Sequence, residues 1–428
     1  MKTAICVLAC AGLLAADPSF ALPRQGASEG TDWPSFRGPG GLGATSEAKA
    51  PLAWSASKNV KWKVALPRPG GGSPVVSGGR VFVAGAADAA GKQRTLHCFD
   101  RKDGKELWVR TVEFPKDDPT HETNPHGGTT PAVEGKRVVV WHSSAGLHCY
   151  DVDGKELWKR ELGEFRHMWG YGTSPVIRGG KVYLNTGPGM KRVFATALDL
   201  ESGKTVWETE EPYRGSGEKN ENEQFMGSWS TPVFVTSGGA ELLVCVMPTR
   251  VVAYDPATGK IVWWCMGVRH KAGDLSYSSP SVAGDLLVVY GGYGGPGLAV
   301  RLGGTGDVTE THRVWRNERN PQSIGSGVVI DGALYLPFEP HVACIDPKTG
   351  KVLWKDKAAG NTWGSAVHAA GRIYVTGQDG TTAVFKPSTA KFELLSTNPL
   401  GEHCNATPAV SGGEIFIRTF KSLWCIAE

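Results

Sequence analysis

Asp346-Pro347-Lys348-Thr349-Gly350-Lys351-Val352-Leu353-Trp354 is the stretch whose reading decides the fold. An Asp bonds the backbone of a tight turn, a Gly takes positive φ there, and alternating residues after it suit a strand. The nonapeptide predicts a hairpin whose second strand carries a large flat side chain. It recurs as Asp255-Pro256-Ala257-Thr258-Gly259-Lys260-Ile261-Val262-Trp263 and, more loosely, as Asp100 to Trp108, with equivalents ending at Trp158 and Trp207.

A second phrase precedes each copy: Ser/Thr-Pro, a few residues, Gly, then an apolar strand. It begins at Ser73, Thr130, Ser174, Thr231, Ser279 and Thr407, with degenerate copies at Ser326 and Ser365. Seven steps from Ser73 to Thr407 average about 48 residues, the length of a four-stranded propeller blade. The predicted fold is therefore all-β, an eight-bladed β-propeller with four-stranded antiparallel blades. The last repeat has strands at 414–418 and 422–426 but lacks its outermost strand. Val60-Lys61-Trp62-Lys63-Val64 at the other end of the chain has the missing pattern. Pairing the two ends closes the ring and removes its open edges. Trp62, Trp108, Trp158, Trp207, Trp263, Trp315 and Trp354 are assigned to docking between blades, with Leu394 in that position in blade seven.

Composition agrees. The 428 residues include 57 Gly and 15 Trp, so Gly is about twice its usual share and serves as repeat punctuation. Charged residues at 21% and hydrophobic ones at 40% exclude general disorder. A net charge of +4 without a Lys/Arg cluster gives no reason to expect nucleic acid. Lys2, the apolar run 4–16 and Ser19-Phe20-Ala21 predict a secretory signal over 1–21, too short to span a bilayer. An arm over 22–59 and the propeller over 60–428 follow. Lipid anchoring through Cys10 ranks second to simple cleavage. Seven of nine cysteines remain after cleavage; Cys98, Cys149, Cys344 and Cys425 share one repeat position, which reads as a small buried residue. A Cys245–Cys265 disulfide is a further expectation from their placement in one repeat.

The motif Asp-x-x-Thr-Gly-Lys-x-x-Trp resembles the tryptophan-docking motif of pyrroloquinoline quinone (PQQ)-type propeller repeats. Asp32-Trp33-Pro34-Ser35-Phe36-Arg37-Gly38-Pro39 and Ile417 to Ile426 resemble the beginning and end of a bacterial PQQ-like, BamB-like family. The resemblance implies a bacterial, periplasmic or secreted monomer. It implies two activities: partner binding in the BamB manner, or quinoprotein oxidoreduction. The quinoproteins of this class hold Ca²⁺ with carboxylate and amide oxygens, use an Asp base and place a vicinal disulfide on the quinone. Here there is no Cys-Cys pair, and Glu122, Glu223 and Asp274 form no Ca²⁺ loop. PQQ with Ca²⁺ is accordingly an alternative rather than the expected cofactor, and no metal site or catalytic set is assigned.

Chemistry is sought in the loops before each Ser/Thr-Pro, which line one mouth of a propeller channel. They carry His121, Asn124 and His126; His167, Trp169 and Tyr171; Glu223 and Trp229; His270, Asp274 and Tyr277; Asn361 and Trp363; and His403 and Asn405. Aromatic, imidazole and amide groups in a ring suit stacking and hydrogen bonding to a ligand; the competing reading is that they only close turns. Gly291 to Gly297 has no phosphate-binding Lys-Ser/Thr and is expected to be an exposed loop of blade five. The expected function is an exported, non-catalytic platform for a protein or peptide partner. The alternatives are a PQQ-dependent alcohol or sugar dehydrogenase, and a carbohydrate binder stacking its ligand on Trp169, Trp229 and Trp363.

Overall fold

Each repeat folds into one antiparallel sheet, and eight such sheets form the ring. The computed structural model describes residues 32–188, 192–212 and 218–428; the signal segment, with Cys6 and Cys10, lies outside the described residues. Blade one runs outward through Val75–Ser77, Arg80–Ala86, Gln93–Asp100 and Glu106–Glu113. Blade eight has Ala409–Ser411, Glu414–Arg418 and Ser422–Ile426, and its outer strand is Val60–Ala65. That strand pairs antiparallel with Ser422–Ile426, placing Trp62 opposite Cys425. The two ends of the chain thus close the ring.

The repeated residues have a common geometry. On every outer strand that carries one, the Trp faces a small residue on the third strand: Trp108 faces Cys98, Trp158 Cys149, Trp354 Cys344, Trp207 Ala197, Trp263 Ala253 and Trp315 Ala299. A large indole leaves room only for Cys or Ala beneath it. Six of the seven then donate Nε1–H to a turn carbonyl of the next blade at 2.7–3.0 Å: Trp62 to Arg101, Trp108 to Val152, Trp158 to Leu200, Trp207 to Pro256, Trp315 to Pro347 and Trp354 to Ser388. The turn glycine lies under the ring. A Cβ on Gly259 would stand 2.5 Å from Trp207, and one on Gly350 2.9 Å from Trp315. Trp263 differs: it is fully buried, its Nε1 has no partner, and Gly306–Asp307 adds a parallel strand beside it.

Register corrects two expectations. In blade seven Ser396, not Leu394, holds the tryptophan position: Ser396 faces Val384, whereas Leu394 faces Phe385 beyond the bulge and is 47% exposed. The same bulge occurs in the other blades, but the chain from Phe385 to Ser396 is two residues longer than that from Phe99 to Trp108, so counting from the turn misplaces the site. The arm brings a tryptophan to this region. Trp54 is buried in a core cluster with residues of blades seven, eight and one, and stacks on Tyr374. Cys245 and Cys265 are both free and buried. The strand Arg250–Tyr254 lies between theirs, and they belong to cores on opposite faces of the blade, so no bond can join them.

Residues 33–54 cross one end of the channel and touch every blade. Trp33 exchanges backbone hydrogen bonds with Val76 of blade one, and Pro34 accepts from Val133 of blade two. Phe36 borders a small cleft together with Val176 of blade three and Phe234 of blade four. Arg37 reaches the carbonyls of Pro280 in blade five and Gly327 in blade six. Gly43 and Thr45 bond to His368 in blade seven, and Glu47 accepts from Gly412 in blade eight.

Candidate functional site

The eight Ser/Thr residues that open the repeats form a closed belt around the channel. The backbone N–H of each donates to the hydroxyl of the next: Ser73 to Thr130, Thr130 to Ser174, Ser174 to Thr231, Thr231 to Ser279, Ser279 to Ser326, Ser326 to Ser365, Ser365 to Thr407, and Thr407 back to Ser73, all at 2.9–3.0 Å. Each link satisfies a buried donor and registers one blade on the next. The arm bonds to the inner strands beyond this belt, on the side away from the mouth loops. The channel is therefore a cup, with the loops as rim, the belt as waist and Phe36 in its lining at the arm end.

The cup encloses a cavity of about 380 Å³. Its aromatic groups are Phe36, Trp169, Trp229, Tyr277, Tyr293 and Trp363; its polar groups include His121, Asn124, Gln322, Asn405 and six belt hydroxyls. Among the described residues no Asp, Glu, Lys or Arg lines it. The rings are angled to each other rather than stacked: Trp169 stands 6.2 Å from Trp229 at 48°, and Tyr293 meets Trp169 edge-on at 5.3 Å.

Hydrogen bonds between loops hold the rim. Asn124 donates to the carbonyls of Trp169 (2.7 Å) and Tyr171 (3.1 Å), tying blade two's loop to blade three's. Asn405 donates to the Thr123 carbonyl at 2.7 Å, so the loops of blades eight and two meet over the short Gly-rich entry to blade one. Trp229 Nε1–H bonds the Gly170 carbonyl at 3.0 Å, and Trp363 Nε1–H bonds Glu339 at 2.8 Å. These indoles are fixed at their edges.

Seven of the fifteen expected site residues line the cavity: His121, Asn124, Trp169, Trp229, Tyr277, Trp363 and Asn405. The others lie outside its lining. His126 and Tyr171 are buried behind the rim with Arg94, which donates to the Tyr171 hydroxyl at 2.7 Å, contacts His126 and pairs with Asp118 at 3.0 Å. Burial, then the Arg94 charge, lowers the His126 pKa to about 4. His167 is buried between Trp169 and Trp229, 5.1 and 4.9 Å between centroids, and burial lowers its pKa to about 4. Asp274 is buried and committed to Arg269 at 2.9 Å and Asn220 at 3.0 Å; it clamps the parallel pair Met226–Ser228 and Asp274–Ser276. His270 accepts from the Ala272 backbone, and His403 packs edge-on against Phe420. Glu223 and Asn361 are exposed loop residues.

The sequence reading missed Phe36, Tyr293 and the belt hydroxyls. Tyr293 belongs to the Gly-rich loop between Leu286–Tyr290 and Gly297–Arg301. It is 40% exposed, as expected of that loop, yet its ring also lines the cup. Loops between second and third strands share the mouth with the loops entering each blade, and no repeated phrase marks them. The belt was visible as the repeated Ser/Thr, read there as punctuation alone.

The sequence profile described as "Outer membrane protein assembly factor BamB" matches residues 40–113, 92–338 and 339–425. The chain belongs to this PQQ-like, BamB-like propeller family. No curated protein matches it. Among solved structures it is similar to a europium-containing methanol dehydrogenase, at 12% identity and a TM-score of 0.68, covering 94% of this chain and 98% of that one. It is also similar to the quinohemoprotein alcohol dehydrogenase from Comamonas testosteroni (14%, TM-score 0.66, 92% and 80% covered) and to BamB from Moraxella catarrhalis (16%, 0.58, 85% and 98%). At these identities the likeness is one of fold, and activity must be argued from the cup.

The residues can be tested against PQQ and Ca²⁺. Ca²⁺ takes six to eight oxygen ligands, carboxylates prominent among them. Glu122 and Glu223 are exposed on separate loops, Asp274 is held by Arg269, and no cluster of three acidic, His or Cys groups occurs among the described residues. The described cysteines are all free, so no disulfide covers a quinone plane. The chain's residues do not fit that pair, and no reaction step is derived through it.

Proposed function

We propose that this protein is an exported carbohydrate-binding propeller that holds a sugar ring in the channel-mouth cup. The observation that carries the reading is the lining itself: six aromatic rings with hydroxyl, amide and imidazole groups and, among the described residues, no Asp, Glu, Lys or Arg. A sugar presents apolar C–H faces to rings and an equatorial girdle of hydroxyls to amides and alcohols. The cavity is of the size that takes a small molecule. The edge-bonded indoles Trp229 and Trp363 are the fixed platforms, and Tyr293 is the more open ring.

The test is a titration of the mature protein with a panel of mono- and oligosaccharides, read by tryptophan fluorescence and calorimetry. PQQ with Ca²⁺ and dye-linked alcohol oxidation run in parallel. Saturable binding of a sugar, weakened in Trp363→Ala, supports the reading. PQQ binding with turnover, and silence toward every sugar, would replace it with an oxidoreductase.

A second reading, a protein partner, is favoured by a separate observation. Outer strands expose Leu107, Val109, Val352, Leu353, Leu394 and Leu395 at 38–47%. Apolar side chains on open strand edges suit strand addition. Crosslinking in the native envelope from cysteines placed beside Leu353 checks it: one reproducible adduct supports a partner, and none argues against it.

A further inference from the structure

Among the described residues, two buried guanidinium groups have no counter-ion and bond carbonyls beside the lining of the cavity. Arg37, in the arm, donates to the carbonyl of Pro280 at 3.2 Å and to that of Gly327; the neighbouring Ser279 and Ser326 both line the cavity. Arg418, in blade eight, donates to Gly72 at 3.0 Å, Ala84 at 2.7 Å and Gly127 at 3.1 Å; Ser73 and Gly128, next to two of these, also line it. Both side chains are 1% exposed, and the Nε–H of each has no acceptor. Among the described residues neither forms a salt bridge, although Arg94, equally buried, has Asp118. Burying an uncompensated charge is costly, so such a charge is ordinarily paired. Burial lowers the two pKa values only to about 9 and about 10, which leaves both groups cationic at neutral pH.

The belt adds donors of the same sense. Ser73, Thr130, Ser279, Ser326, Ser365 and Thr407 each accept a backbone N–H through the hydroxyl oxygen. No acceptor for their own hydroxyl protons occurs among the described residues. The waist of the cup therefore presents O–H donors, and the two guanidinium groups without a counter-ion bond carbonyls of residues that adjoin its lining. A neutral sugar uses the donors and leaves the charges uncompensated. A ligand with a carboxylate at its buried end uses both.

We propose that the cup selects an acidic carbohydrate, a uronate whose carboxylate sits at the belt and whose ring lies among Trp169, Trp229 and Trp363. This rests on the carbohydrate reading above and adds the charge. A tenfold preference needs only about 1.4 kcal/mol, less than unit charges about 10 Å apart supply at the effective dielectric of about 20 usual in proteins.

Calorimetry on the mature protein with methyl β-glucuronoside and methyl β-glucoside, a matched pair, separates the two levels. Sodium acetate is the third probe. Glucuronoside binding about tenfold or more tighter than glucoside, with the gap narrowing as salt rises, is the expected result. Arg418→Met should shrink the gap, and Arg37→Lys, which keeps the charge and spares the arm, should retain it. If Arg418→Met does not fold, the salt dependence of the unaltered protein still decides. Equal binding of the two glycosides, or a preference for glucoside, overturns the charge inference and leaves the carbohydrate reading standing. Acetate competing as well as the glucuronoside shows an anion site that ignores the sugar ring and overturns both. Silence toward both glycosides also removes both.

Discussion

Arg94 and Asp118 show how a mouth residue can be structural. Their side chains are 0% and 2% exposed, and together with His126 and Tyr171 they anchor the loop that presents His121 and Asn124. Removing one member of a buried pair leaves the other charged in a poor solvent, at a cost of about 3–5 kcal/mol. Asp118→Ala should lower the unfolding free energy by about that amount in guanidinium titrations; a loss below about 1 kcal/mol would contradict the assignment. His126 and His167 add a pH dependence. Folded, both have pKa values lowered to about 4 by burial, from the usual 6.5. Between those values the unfolded chain binds more protons than the folded one. Stability is therefore fully present above pH 6.5 and falls as the pH drops from 6.5 towards 4. Thermal melts across that window should show the fall, and His126→Gln should lessen it; a flat profile would refute neutral burial. The sequence assigns His126 and His167 to mouth loops but cannot say which way they point. His167 and Trp169 are two residues apart, yet only Trp169 lines the cup.

At the scale of elements, the belt and the docked tryptophans carry the blade-to-blade register. Ser326→Ala would strip the acceptor from the buried Ser279 N–H, at a cost of about 1–3 kcal/mol, while Ser326→Thr keeps the hydroxyl and should cost much less. Denaturant midpoints for the pair test this; equal values would mean the belt is decorative. These elements were legible because repetition marks them: the Ser/Thr, the turn Gly and the outer Trp return in each blade with small variations. What repetition cannot show is where a blade departs from the rule. Ser396 in the place of a tryptophan, the extra strand beside Trp263 and Tyr293 reaching into the cup are each set by a local insertion or bulge.

The whole molecule is held shut twice, by the shared blade and by the arm. The shared blade was legible as a missing strand at one end and a spare one at the other. The arm was not, because its partners lie far along the chain: Arg37 bonds residues 243 and 290 positions away, and no local pattern announces such contacts. Deleting Val60–Ala65 should open blade eight, lower the melting temperature strongly and expose an edge prone to association; unchanged melting would refute the closure. The central claim is that the cup, rather than the outer edges, is where this protein recognises its ligand. A crystal structure of the mature protein soaked with methyl β-glucuronoside tests it most directly. The account predicts a sugar ring against Trp229 and Trp363 with its carboxylate at the belt hydroxyls. An empty cup, with the sugar elsewhere on the propeller, would contradict it.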